Sequence, residues 1–79
     1  MQRTIMVKKS DNGLFVSVKG ERSYVKIFDA ESGELIRHSE SPEVTNIEHV
    51  AKPGKYLVET DGTISALRSV HIDLAQNRG

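Results

Sequence analysis

Side chains between Leu14 and Lys19 sort into two sets, Leu14, Val16 and Val18 against Phe15, Ser17 and Lys19. A period of two marks a strand, because successive side chains project to opposite faces. The same period recurs along the chain. Thr4 to Lys8 sets Ile5 and Val7 against Thr4, Met6 and Lys8. Tyr24 to Asp29 sets Val25 and Ile27 against Tyr24, Lys26 and Phe28. Shorter strands are predicted over Glu34 to His38 and Lys55 to Glu59, the latter with Tyr56 and Val58 on one face. Val44 to Val50 reads as a strand or a helical turn, since Val44 and Ile47 do not alternate cleanly. Ile64 to Leu74 is the last strand; its apolar phase slips at Leu67, which predicts a bulge or bend near Leu67-Arg68-Ser69.

Turn chemistry separates these segments. Asn12-Gly13 and Asp61-Gly62 read as tight hairpins, and Gly33 suits a short hairpin loop. Pro53-Gly54 is a further turn, and Ser39 to Glu43, with Pro42, reads as a loop crossing between sheets. Turn signals recur about every ten residues, the spacing of an all-β sandwich or barrel. The prediction is a single β-domain over 1–79 with a fraying tail at 75–79. Its form is an antiparallel immunoglobulin-like sandwich of about seven strands, with a small, partly open barrel as the competing architecture. The inward set is Ile5, Val7, Leu14, Val16, Val18, Val25, Ile27, Ile36, Ile47, Tyr56, Val58, Val70 and Ile72. The stretch from Ser23 to Thr60 should organise it, as a central hairpin with a later strand packed alongside.

The order of motifs adds a resemblance. Val25-Lys26-Ile27-Phe28-Asp29, Gly33, Leu35-Ile36 and Pro53-Gly54-Lys55-Tyr56-Leu57-Val58 resemble the C-terminal sorting domains of bacterial proteins exported by the Por-type system. Those domains follow a large cargo protein and often end in basic residues, whereas this chain opens with its own strands and closes Val70-His71-Ile72-Asp73-Leu74. The resemblance implies a sandwich and an accessory or recognition role, without the secretion role and without a reaction.

Composition narrows the chemistry. Eleven basic and eleven acidic residues are interspersed, which disfavours nucleic acid and a polybasic membrane patch. No cysteine is present, so disulfides and thiolate metal sites are excluded. No apolar run is long enough to span a bilayer as a helix. No signal-peptide pattern opens the sequence, so the default compartment is the cytoplasm, or the exterior if the domain belongs to a longer secreted protein. His38, His49 and His71 fall on separate elements without ligand spacing, and the acids around Gly33 and Gly62 fit ordinary turn chemistry better than a calcium loop. Neither a cofactor nor a metal is expected. The serines form no nucleophile elbow, and no phosphate-binding glycine pattern appears, so catalysis is not expected.

The aromatics are Phe15, Tyr24, Phe28 and Tyr56. Tyr56 follows Pro-Gly at a strand start, where a tyrosine corner bonds the preceding loop. Phe15, Tyr24 and Phe28 fall opposite the inward aliphatic set, with Lys19 and Lys26 nearby. The expectation is an outward aromatic patch of Phe15, Tyr24, Lys26 and Phe28 that binds another protein or a second copy of the chain. The predicted function is a non-enzymatic interaction or structural module working through a sheet face or an edge strand. The alternative is a β-module that binds carbohydrate or single-stranded nucleic acid.

Overall fold

The computed structural model describes residues 1–20, 23–41 and 44–74. They form seven antiparallel strands in two sheets: β1 (Gln2–Val7), β2 (Gly13–Lys19), β3 (Ser23–Asp29), β4 (Leu35–Ser41), β5 (Val44–Val50), β6 (Gly54–Thr60) and β7 (Thr63–Val70). One sheet has the order β1-β6-β3-β4 and the other β5-β2-β7. The architecture is a small β-sandwich. No helix occurs among the described residues, so none is long and apolar enough to cross a membrane.

The alternation in the sequence sets the two layers face to face. Leu14, Val16 and Val18 of β2 meet Val25 and Ile27 of β3, with Val58 of β6, and all six are fully buried. Val7, Ile47, Tyr56, Ala51 and Ile64 complete the core, and Ile5, Ile36 and Leu67 pack at its margin. Burying such aliphatic side chains is the main driving force for a chain of this size. Ser23 to Thr60 does organise one layer: β3 and β4 form a hairpin through Gly33 (φ 78°), and β6 pairs along the other side of β3.

Several expectations need correction. Asn12-Gly13 and Asp61-Gly62 are not hairpin turns, because β1 and β2, like β6 and β7, lie in different sheets. Asn12 is a clamp: its Nδ2 donates to Ile72 O at 2.9 Å, and its Oδ1 accepts from Ile72 N at 2.6 Å. Ile72 fills the place that a side chain at Gly13 would occupy. Asp61 caps β3, its Oδ1 accepting from Tyr24 N at 2.9 Å. The bulge in β7 falls at Ser65 rather than near Leu67-Arg68-Ser69, since Ser17 pairs with Ala66 and Val18 with Ile64. One extra residue reverses the faces, so Leu67 turns inward. Val70 pairs with Gly13 on the outer phase of β2, and Val70 and Ile72 are absent from the core. β7 ends at Val70, four residues before the expected end at Leu74. β4 extends through Ser39 to Ser41, a stretch whose polar sequence predicts a loop. β5 is a strand whose Thr45 and Ile47 point inward, against the helical alternative. Pro42, Glu43 and the expected frayed tail 75–79 lie outside the described residues.

Candidate interaction face

The outer face of the four-stranded sheet is built from the residues between the inward positions. Strand register arranges them in rows across the sheet. One row is Thr4, Leu57, Phe28 and Leu35, from β1, β6, β3 and β4; the next is Gln2, Glu59, Lys26 and His38. The first row is apolar apart from Thr4, whose neighbour Met6 lies two residues along β1. Met6 is 58% and Leu35 46% exposed. Phe28 and Leu57 are half-buried and floor an open groove of about 510 Å³, rimmed by Gln2, Asp29, Lys55 and Glu59.

The second row is tied into a polar network. Tyr24 Oη donates to Glu59 Oε2 at 3.1 Å, and Gln2 Nε2 donates to Glu59 Oε1 at 3.2 Å. These two bonds, first that from Gln2, hold the Glu59 carboxyl below its usual range, helped by the charge of Lys26. Conversely the bond to Glu59 pushes the Tyr24 phenol up. Lys26 Nζ lies 5.3 Å from the centre of the Tyr24 ring, a cation–π distance. The His38 ring meets Tyr24 edge-on at 6.5 Å, and its Nε2 is 3.3 Å from Glu40 Oε1. The network holds Tyr24, Lys26 and His38 in place beside the apolar row.

Tyr24, Lys26 and Phe28 therefore share one surface, as their common phase on β3 requires. Phe15 does not join them. It lies on the outer face of the other sheet, opposite Glu48 and Arg68 in register. The Arg68 guanidinium covers its ring at 5.1 Å. Lys19, at the end of β2, belongs to that same face. The two outer faces are separated by the full thickness of the sandwich, so the four residues expected to form one patch form two surfaces. Sequence phase assigns a residue to the inside or the outside but not to a sheet. Met6, Leu35, Leu57, Lys55 and Glu59 escaped the sequence reading of this face, because only cross-strand register makes them neighbours of Phe28.

Asp29 and Tyr56 have structural roles. Asp29 Oδ1 accepts from Glu31 N at 2.8 Å and Ser32 N at 3.2 Å, so this carboxylate shapes the β3–β4 turn. His38, His49 and His71 stand apart, and among the described residues no three His, Cys, Asp or Glu gather as a metal site. Tyr56 Oη donates to Lys52 O at 2.8 Å, the tyrosine-corner bond anticipated from Pro53-Gly54. Compared with known protein families, curated proteins and solved structures, the chain matches none.

Proposed function

We propose that this domain is a non-enzymatic interaction module that binds a protein partner through the outer face of its four-stranded sheet. The observation that carries the reading is the uncovered row Leu57, Phe28 and Leu35, extended by Met6 and bordered by the Tyr24–Glu59–Gln2 network. An apolar centre with an ordered polar rim is the anatomy of a protein interface. The face is favoured over the free edge of β4, which that strand defends. Ile36 is an extra residue opposite the Ile27–Phe28 step, and Arg37 sits in the inward phase opposite Ile27. A bulge and an inward charge both oppose addition of another strand.

The module reading draws on two further features. In an immunoglobulin sandwich with strands lettered A to G in chain order, B pairs with E and C with F, and a tyrosine corner opens strand F. Here β2 pairs with β5, β3 pairs with β6, and Tyr56 near the start of β6 makes the corner bond. The remaining strands differ, since β1 lies beside β6, β7 beside β2, and β4 beside β3 rather than beside β5. We read the domain as immunoglobulin-like at its centre, with its first, fourth and last strands each in the opposite sheet. The resemblance to Por-type sorting domains supports the same accessory role.

Site-specific photocrosslinking in expressing cells tests the proposal. A photoreactive residue at Leu35 is expected to give discrete adducts, and one at Glu48, on the opposite face, none. Phe28→Ser should lower the adduct yield by about tenfold, corresponding to loss of roughly 1.4 kcal/mol of contact. Absence of discrete adducts at Leu35 would remove the proposal.

A further inference from the structure

We infer that the partner which fits this face is a second copy of the chain, packed sheet to sheet about a two-fold axis running along the row Thr4–Leu57–Phe28–Leu35. The inference rests on the reading of that face as an interaction surface. An axis lying across the strands places each strand over its own counterpart with the direction reversed. Residues on the axis then meet themselves, and residues two positions to one side meet those two positions to the other.

The sequence of β6 suits this symmetry. Leu57 lies on the axis, and Lys55 and Glu59 flank it in the same outward phase, both on the rim of the groove. Lys55 of each copy therefore lies over Glu59 of the other, and symmetry makes the contact twice. On β1 the same operation sets Met6 over Gln2, and on β3 it sets Lys26 over Ala30. No like charges meet at these positions. Moving the axis to the next row would superpose Glu59 on Glu59 and Lys26 on Lys26. Lys26 already faces Glu59 within the chain and lies over Tyr24. Lys55 is exposed and, among the described residues, makes no salt bridge, so its charge is open to the second copy.

The other surfaces fit a copy less well. On the opposite sheet the central row is Glu48, Phe15 and Arg68. An axis along it would set Glu48 on Glu48 and Arg68 on Arg68, and Arg68 already caps the Phe15 ring. The four-stranded face measures about 19 by 20 Å, from strand spacings of ~4.8 Å and ~3.3 Å per residue. Covering it buries on the order of 1,000 Å² of accessible surface in total, at the lower limit for a specific interface. The dimer is accordingly weak and concentration-dependent.

Sedimentation of the whole chain over a range of concentrations tests this. The wild type should move from one to two chain masses, and added salt should weaken the dimer. K55E alone and E59K alone should each weaken it about tenfold or more through repulsion across the axis. An equimolar mixture of the two variants should regain the dimer, because both cross-axis contacts are then between opposite charges. Leu57→Ser should leave a monomer with unchanged circular dichroism. Should E59K fail to fold after losing its bonds from Gln2 and Tyr24, K55E and Leu57→Ser carry the test. A wild type that stays at one chain mass overturns the inference, as does a mixture no heavier than its folded components, or a dimer indifferent to Leu57→Ser. If the wild type is monomeric while the Leu35 photocrosslink captures a different protein, the second copy is wrong and the interaction face stands. Absence of both results removes both.

Discussion

Tyr56 and Thr45 show how differently a buried hydroxyl can act. Tyr56 is a core residue whose hydroxyl is satisfied by Lys52 O, so it joins β6 to the turn before it. Thr45 is also buried, and its Oγ1 has no hydrogen-bond partner among the described residues. An unmade bond costs more than a made bond contributes, because desolvation of the polar group is uncompensated. The two substitutions that remove these hydroxyls should move stability in opposite directions. Tyr56→Phe is expected to lower it by about 1 kcal/mol, and Thr45→Val to raise it by a similar amount. Urea denaturation of both variants checks this. A destabilised Thr45→Val would mean that its hydroxyl is satisfied in solution. The Tyr56 role was legible in the sequence from Pro53-Gly54, since a local turn places ring and carbonyl within four residues. Asn12 was not: its partner, Ile72, is sixty residues away.

Among the elements, edge strands and bulges decide what a surface can do. The alternation in β2 and β3 runs unbroken, and their inward residues are those read from the sequence. β4 and β7 each hold one extra residue, at Ile36 and Ser65; Ile36 packs against the core margin as its sequence implies, whereas in β7 the sequence pattern misassigned the faces. A bulge is defined by the partner strand that it fails to match, so a single strand's sequence cannot locate it reliably. In β4 the bulge brings Arg37 opposite Ile27, on the inward face of a strand with a free edge. Arg37→Val should replace that charge with a good strand former and open the edge to pairing. The expected outcome is concentration-dependent aggregation with a rise in thioflavin fluorescence, while native circular dichroism persists in the soluble fraction. Unchanged light scattering at raised concentration would show that the bulge alone protects the edge.

For the whole molecule, the side of the sandwich between β1 and β7 is stitched across the sheets. Lys8 N donates to Ser69 Oγ at 3.0 Å, and Ser69 Oγ donates to Asp11 Oδ2 at 2.6 Å. His49 stands in the inward phase of β5, opposite Leu14. Burial first, and then the charge of Arg37, lower its pKa below the ordinary 6.5. Folding therefore favours neutral imidazole. Below pH 6.5 the unfolded chain takes up a proton that the folded chain does not yet accept, so His49 makes stability fall as pH drops through that value, and its effect levels off below the folded pKa. The Glu59 carboxyl, with its lowered pKa, acts only at more acid pH, since its contribution is lost as pH falls through the folded value. The urea midpoint should decline between pH 7 and pH 5, and His49→Gln should flatten that decline. An unaltered slope in the variant would assign the effect to other groups.

What the sequence determined by itself was the all-β class, the approximate strands, the β3–β4 hairpin and most of the core. Alternation and turn chemistry are local, and hydrophobic burial converts the alternation directly into an inside and an outside. Only the tertiary structure decided which strands share a sheet. That pairing split Phe15 from Tyr24 and Phe28, turned two apparent hairpins into crossings between layers, and set Leu57, Leu35 and Lys55 around Phe28. Local sequence encodes a strand's two faces, whereas a surface is made by register between strands far apart in the chain, and register is chosen by the packing of the whole core.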